Sequence, residues 1–233
     1  MTNNGLINYT SLFCVALVWM SCGTPSSPDP IENSAQEAAA PSPMLVILDA
    51  ERTGINFVNR VIEDDSANYL NYRYIYNSGG VATGDLDNDG LPEIVCVSNR
   101  NGGAIYKNNG DLKFSDVTKT AGFNLVGLWA TGVCMMDANA DGLLDIYVCG
   151  SGPGYWPVKY RRNRLYINKG ALKVVDEAAE RGVADEGHHT AASFADLDGD
   201  GDLDVFILAH RVDFKNLNNA ITDPRFLPVA DQS

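Results

Sequence analysis

The chain has 233 residues, of which 45% are hydrophobic and 20% charged, a composition typical of a soluble globular protein. Its formal net charge of -13 argues against a nucleic-acid partner, because phosphate binding needs clustered lysine and arginine. Twelve of the 30 acidic residues lie in three short segments, 85–93, 137–145 and 196–204, and this concentration is typical of a cation-binding protein.

The N-terminal segment has the features of an export signal. Residues 12–20 form an apolar run, too short to cross a bilayer as a helix but of the length found in secretory signals. Ser21 and Cys22 follow this run and resemble the bacterial lipoprotein signal, in which the cysteine is lipidated. We therefore expect a signal peptide over residues 1–22 and a lipid anchor at Cys22, the only membrane contact, at the outer membrane or cell surface. Residues 1–10 hold no lysine or arginine, so plain secretion (periplasmic or extracellular) and a buried N-terminal element stay open as alternatives.

A linker is predicted next. Residues 24–43 contain five prolines and almost no large apolar side chains, so this segment cannot bury enough surface to fold. We interpret residues 23–44 as a flexible linker and expect the folded part to occupy residues 45–233.

The folded part contains two repeated units. The first carries the acidic segments and aligns without gaps: GGVATGDLDNDGLPEIVCVSN at 79–99, TGVCMMDANADGLLDIYVCGS at 131–151 and TAASFADLDGDGDLDVFILAH at 190–210. The second unit recurs at 104–123 and 164–183, where IYKNNG and LYINKG correspond. Repeats of roughly 50–60 residues suit a propeller blade of four strands.

Local patterns predict β-structure. Each acidic loop is followed by an apolar run too short for a helix and rich in β-forming residues: Ile94–Val97, Ile146–Cys149 and Val205–Leu208. The segments 108–110 and 168–170 carry residues that tolerate positive φ, which predicts hairpin turns. The predicted fold class is therefore all-β, a partial β-propeller of about three four-stranded blades with Ca-binding loops.

Cysteines do not form a recognisable framework. Cys96, Cys134 and Cys149 remain after the two in the N-terminal segment, and their number and spacing fit neither disulfides nor a zinc site. We expect these three to be small apolar side chains in the core.

The acidic loops share the pattern Asp-x-[Asp/Asn]-x-Asp-Gly-x-x-[Asp/Glu]. Ca²⁺ takes six to eight oxygen ligands, whereas Mg²⁺ prefers a small octahedral shell with several waters. Glycine at the sixth position permits the sharp bend that wraps a loop around an ion. An EF-hand is excluded, because its glutamate at position 12 is absent and strand-like segments flank the loops. The predicted side-chain ligands of about three Ca²⁺ ions are Asp85, Asp87, Asp89, Glu93, Asp137, Asn139, Asp141, Asp145, Asp196, Asp198, Asp200 and Asp204.

The three sites are expected to differ in affinity. Asn139 replaces a carboxylate in the second loop, so that loop should bind Ca²⁺ most weakly. In the third loop, Asp202 is expected to contribute its backbone carbonyl.

These loops resemble the FG-GAP or VCBS repeats of integrin-α-like β-propellers. The segments LYINKG, FSDVTKTAG and TGINFVN look more specifically like the bacterial relatives of the cartilage acidic protein family. The resemblance covers roughly residues 53–210 and implies a Ca²⁺ loop between adjacent strands of a blade. It implies ligands at positions one, three, five and nine and a backbone carbonyl at position seven, which is Leu91, Leu143 or Asp202 here.

Such propellers usually have about seven blades, and no second LYxNxG unit occurs in residues 211–233. Three blades cannot close a ring, and open sheets expose edges. We expect a truncated gene or a fragment, with the rest of the propeller missing from this chain; a propeller completed by another chain is the alternative.

Two further features are candidate ligand sites. Residues 152–162 are an insertion with aromatic and basic side chains, which either stack on sugars and anions or pack on the next blade. Asn77, Trp129 and His188 each precede a first aspartate by eight residues, so they should converge around the propeller axis.

The leading functional hypothesis is an exported, Ca²⁺-binding module at the cell surface, with structural ions and a protein or glycan ligand. No catalytic residue set stands out, so an enzyme is not expected. A Ca-dependent propeller hydrolase and a scaffold subunit of a surface complex are the alternatives, and the fold alone cannot name the ligand.

Overall fold

The computed structural model describes residues 45–77 and 79–210. The predicted signal peptide, the lipid anchor at Cys22 and most of the linker lie outside these residues. Among the described residues, none of the helices has the length and apolar character needed to cross a bilayer.

Two meandering antiparallel sheets of four strands dominate the fold. The first sheet has the order β1-β2-β3-β4, and the second has the order β5-β6-β7-β8. The bounds of these strands are β1 Gly80–Gly84, β2 Glu93–Val97, β3 Gly103–Asn108, β4 Phe114–Asp116, β5 Ala130–Met136, β6 Asp145–Gly150, β7 Arg164–Asn168 and β8 Val174–Asp176.

A third sheet pairs β9 (His189–Ala195) with β10 (Asp204–Ala209). This sheet has two strands within the described residues. The all-β, partial-propeller prediction is confirmed, with four strands in each of two blades and two described strands in the third.

Helices are short. Asp49 caps α1 (Ala50–Thr53), where its carboxylate accepts the N–H of Arg52 at 2.8 Å. The second helix, α2 (Thr118–Ala121), follows β4 and ends at Gly122. A 3₁₀ turn covers Val158–Tyr160 in the insertion.

Strand β6 of the second sheet is buried on both faces. Every residue of β6 is buried, and successive side chains of a strand point to opposite faces. Ile146 and Val148 pack with Val95 of the first sheet, whereas Tyr147 and Cys149 pack with Phe194 and Ile207 of the third sheet. The sheets therefore stack face to face, as propeller blades do.

Cys149 lies in the core and Cys134 packs against it, as predicted, whereas Cys96 is only half-buried and lies outside the core clusters. Cys96, Cys134 and Cys149 are free thiols, and Cys149 is fully buried. Burial raises the pKa of Cys134 to about 11 and that of Cys149 to about 12, so both are neutral and unreactive.

The turn between the third and fourth strands differs from the sequence prediction in its position. Positive φ occurs at Gly110 and then at the two residues that follow, Asp111 and Leu112. The Asn108 side chain accepts the N–H of Gly110 at 2.9 Å, which fixes the start of the turn. The second repeat is the same, with positive φ at Gly170, Ala171 and Leu172.

The first strands of the three sheets lie next to one another, β1 beside β5 and β5 beside β9, and glycine permits their close approach. A Cβ added at Gly132 would lie 2.5 Å from the Thr190 carbonyl oxygen of β9. A Cβ at Gly80 would lie 3.0 Å from the backbone nitrogen of Val133. Backbone, unlike a flexible side chain, has to shift as a whole to relieve such contacts.

Gly132→Ala should therefore lower the free energy of unfolding by about 1–2 kcal/mol, as overpacking does. Gly80→Ala, which creates a longer contact, should lower the free energy of unfolding by less than half as much. Urea unfolding of both variants measures the difference. A neutral Gly132→Ala variant would show that the blades are less tightly packed than described.

Candidate metal centre

Each acidic loop connects the first and second strands of its sheet. The position-nine residue begins the second strand in all three sheets: Glu93 in β2, Asp145 in β6 and Asp204 in β10. The two strands that each loop connects are antiparallel neighbours, with Gly84 paired to Glu93 and Met136 paired to Asp145. The prediction that each loop joins two strands of one sheet is correct.

Position-one aspartates hold each loop in shape. Asp85 accepts the N–H groups of Asp89 at 3.1 Å and Gly90 at 2.8 Å. Asp137 makes the equivalent bonds to Asp141 and Gly142 at the same distances. These loops therefore share one backbone conformation.

The third loop is a close variant of this conformation. Asp196 accepts the N–H groups of Gly199 at 2.6 Å and Gly201 at 3.1 Å. The sixth-position glycines have φ of 87°, 85° and 96°, which an L side chain rarely adopts: Gly90, Gly142 and Gly201.

Position-nine carboxylates are structural as well as acidic. Glu93 is fully buried and accepts the N–H groups of Leu86 at 2.8 Å and Asn108 at 3.3 Å. Asp145, also fully buried, accepts those of Ala138 at 2.9 Å and Asn168 at 2.8 Å. Burial raises the pKa of both carboxyl groups. A cation next to each carboxylate would favour its charged form.

Asp204 is held less firmly. Its carboxylate is only half-buried and accepts one hydrogen bond, from the backbone N–H of Leu197 at 2.9 Å.

Carboxylates converge in the first and third loops. One ligand atom from each of Asp85, Asp87 and Glu93 lies within 4.8 Å of the others, and the same holds for Asp196, Asp198 and Asp204. Asp87 Oδ1 is buried and has no hydrogen-bond partner. An unpaired buried carboxylate oxygen is costly, and a bound cation would satisfy it. The donor set of the first loop therefore fits Ca²⁺.

No such convergence occurs in the second loop within residues 45–77 and 79–210. The Asn139 amide donates to Asp141 Oδ2 at 2.9 Å, and its carbonyl oxygen accepts the N–H of Asp141 at 3.2 Å. Part of the hydrogen-bonding capacity of this amide is thus used within its own loop.

In every loop, the backbone N–H at position seven donates a hydrogen bond to the side-chain carboxylate at position five. The N–H groups of Leu91 and Leu143 donate to Asp89 and Asp141, both at 2.9 Å, and this bond lowers the pKa of Asp141. The N–H of Asp202 donates to Asp200 at 3.1 Å. A side-chain hydrogen bond with Asp200 raises the pKa of Asp202, since a neighbouring carboxylate disfavours the charged form.

A lysine enters the first loop, and sequence reasoning missed it. Lys107 of β3 forms ion pairs with Asp87 and with Asp89, the latter at 2.9 Å. The hydrogen bond from Lys107 lowers the pKa of Asp89, and the two carboxylates raise the pKa of the lysine. The corresponding residue in the second repeat is Ile167, so comparing IYKNNG with LYINKG would have revealed the difference.

Side-chain hydrogen bonds tie the first loop to the second blade. Asn88 donates to the Gly142 carbonyl at 3.1 Å. Asn168 donates to the Leu86 carbonyl at 2.7 Å and to the Leu144 carbonyl at 3.0 Å.

The insertion packs most of its aromatic side chains on the protein. Trp156 donates from Nε1 to the Ser66 carbonyl at 3.0 Å and lies edge-on to Trp129, with ring centres 5.6 Å apart. Arg100 lies over the Trp156 ring at 5.5 Å. A cleft of about 500 Å³ remains beside this cluster, lined by Asn99, Arg100, Gly127, Trp156, Pro157 and Tyr160.

The three residues expected at the axis have different environments. Asn77 lines a pocket of about 400 Å³ together with Thr131 and His210. Trp129 is fully buried in an aromatic cluster with Tyr72. His188 is half-buried, and its ring lies 5.9 Å from that of His210.

Stacked four-stranded antiparallel sheets with an acidic loop between their first two strands define a partial β-propeller. The FG-GAP-like repeat family model matches residues 68–148, which include the first two loops. Cartilage acidic protein 1 of Xenopus tropicalis is 28% identical over 132 residues, which are 56% of this chain and 20% of that protein. The aligned part thus spans about a fifth of the length of this curated relative. Together these similarities support a protein of the FG-GAP, β-propeller type.

Proposed function

We propose that this chain is an exported β-propeller module that binds Ca²⁺ in its acidic loops and a protein or glycan ligand at the cell surface. The observation that carries the calcium assignment is the buried, unpartnered Oδ1 of Asp87 within the carboxylate cluster of the first loop. The similarity to a cartilage acidic protein favours an extracellular location.

The role assigned to the ions is structural. Glu93 and Asp145 already bind the loop backbone on one side and the following strand on the other. An ion that shares these carboxylates would cross-link the first and second strands of a blade. It would also offset the repulsion among carboxylates that lie within a few ångströms of one another.

Calcium suits these donors better than magnesium. The loops offer carboxylate, amide and backbone oxygens and hold them on a flexible turn. Ca²⁺ accepts six to eight oxygens in variable geometry, whereas Mg²⁺ demands near-ideal octahedral geometry and keeps its waters.

The cleft beside Trp156 is the proposed ligand surface. Trp156 and Tyr160 present aromatic rings, and Arg100 and Asn99 supply hydrogen-bonding groups at the same place. Aromatic faces stack on sugars and on peptide side chains, and the neighbouring polar groups orient such ligands. A binding module uses such a cleft without any catalytic residue.

Calcium titration of the metal-stripped full chain tests the first part of the proposal. We expect about three equivalents to bind and the melting temperature to rise, since an ion at 100 times its Kd stabilises the fold by about 2.7 kcal/mol per site. The Asp87→Asn and Asp198→Asn variants should each lose one equivalent, whereas Asp111→Asn, outside the loops, should lose none. The absence of both binding heat and a change in melting temperature would overturn the calcium assignment.

A further inference from the structure

The three histidines of the chain lie together at one end of the third sheet. His188 precedes β9, His189 begins it, and His210 follows β10. The backbone N–H of His210 donates to the His188 carbonyl at 2.8 Å, which places the two side chains next to each other. Their ring centres are 5.9 Å apart.

His189 is fully engaged by the protein. Its Nδ1 lies 3.0 Å from Asn163 Oδ1, and its Nε2 lies 2.8 Å from Asp185 Oδ1. With both nitrogens paired and the ring buried, this residue has a structural role.

His188 and His210 differ from it in a specific way. The Nδ1 atom of each is buried and has no hydrogen-bond partner. The His188 ring makes its hydrogen bond with the Gly152 backbone, and His210 Nε2 lies 3.5 Å from Ser151 Oγ. Ser151 Oγ in turn lies 3.3 Å from the Tyr72 hydroxyl. Each imidazole is thus held on one side and left with an unpaired nitrogen on the other.

This arrangement is that of a metal-binding histidine. Such a residue donates its outer N–H to a carbonyl or another oxygen, which fixes the tautomer and leaves the inner nitrogen as the ligand. Unpaired buried nitrogens are rare in folded proteins.

The charge state of His188 and His210 also suits metal binding. Burial lowers the pKa of His188 to about 4 and lowers that of His210. Both rings are therefore neutral near pH 7, which is the form that binds metals.

We propose that His188 and His210 bind one transition-metal ion of the Zn²⁺ or Cu²⁺ type through their Nδ1 atoms, at a site separate from the acidic loops. Imidazole nitrogen suits these ions, whereas Ca²⁺ prefers the oxygens of the loops. Metal–nitrogen bonds of about 2.0–2.1 Å set two imidazole centres on one ion roughly 5–6.5 Å apart. The observed 5.9 Å separation lies in that range.

With two protein ligands, such an ion would take its remaining ligands from water, and His210 borders the pocket that Asn77 also lines. His210 lines this pocket of about 400 Å³ together with Tyr72, Thr131 and Thr190. An ion with two protein ligands and bound water keeps positions open, and a hydroxyl or carboxylate of an incoming ligand can take them.

Zn²⁺ titration of the untagged full chain in saturating Ca²⁺ tests the proposal, because Ca²⁺ occupies the oxygen sites and leaves the imidazoles free. We expect one equivalent to bind. The affinity should fall at least tenfold in His188→Gln and in His210→Gln, and binding should be lost in the double variant. Unchanged Zn²⁺ binding in the double variant would overturn the site, and so would the absence of binding to the wild type.

His189→Gln is the matched control and should retain the Zn²⁺ equivalent, since its two nitrogens are already paired. The melting temperature in Ca²⁺ reports whether each variant is folded. Cu²⁺ electron paramagnetic resonance of the wild type provides a readout independent of any substitution. Hyperfine coupling to two imidazole nitrogens is expected, and a spectrum with oxygen ligands alone would contradict the proposal.

Discussion

Asp145→Ala is expected to lower the free energy of unfolding by about 3 kcal/mol. The carboxylate is fully buried and accepts the N–H groups of Ala138 and Asn168, which the substitution leaves without partners. Each buried donor left unpaired costs about 1–3 kcal/mol. Urea unfolding at fixed Ca²⁺ and again in a chelator measures this loss, and the chelator series separates it from the loss of an ion.

Asp204→Ala is the matched comparison for this variant. It removes the equivalent carboxylate from a half-buried position with one backbone bond, from Leu197. We expect a loss of about 1 kcal/mol in the chelator series. If the two variants lost equal stability, the carboxylate at position nine would act through its charge alone.

Lys107→Met is expected to strengthen Ca²⁺ binding at the first loop by about tenfold. The ammonium group pairs with Asp87 and Asp89, so an incoming ion has to displace it. Removing one positive charge about 4 Å from the ion changes the interaction by at least 1 kcal/mol even in water. Methionine preserves the length of the side chain, and calorimetric titration measures the affinity.

Lys119→Met is the control for this experiment, since Lys119 is exposed on α2, away from the acidic loops. It should leave the affinity of all sites unchanged. An equal gain in both variants would mean that net charge, rather than the contact of Lys107, governs binding. An unchanged Lys107→Met variant would mean that the lysine leaves the loop at no cost.

The lysine also bears on the expected order of affinities. Carboxylates alone give the first loop a charge of −4 and the second −3, which led to the prediction that the second binds most weakly. Lys107 brings the first loop to −3 as well. The two loops should therefore bind Ca²⁺ about equally in the wild type, and the third, with five aspartates, most tightly.

Strands and loops could be predicted from the sequence because their signals are local and repeated. The predicted runs Ile94–Val97, Ile146–Cys149 and Val205–Leu208 each lie inside the observed strand. Each observed strand begins one residue earlier, at the carboxylate of position nine. That residue pairs with the end of the preceding strand, so the loop carboxylate belongs to the sheet as well.

Contacts across strands could not be predicted in the same way. Asn168 donates to the Leu86 carbonyl of the first blade across 82 residues, and His210 meets Ser151 across 59 residues. Such pairs depend on how sheets stack, which periodicity does not specify. The residues predicted to converge at the axis show the same limit, since Asn77 lines a pocket and Trp129 lies in the core despite their equal spacing.

The bonds between the first two loops have a consequence for how such a protein can be lengthened or recombined. Asn88 and Asn168 each satisfy a carbonyl of the other blade's loop, Gly142 and Leu86 respectively. A blade moved or duplicated as an independent cassette would lose both partners unless its new neighbour offered them. The unit of exchange is therefore a pair of adjoining blades, which keeps both of these hydrogen bonds together.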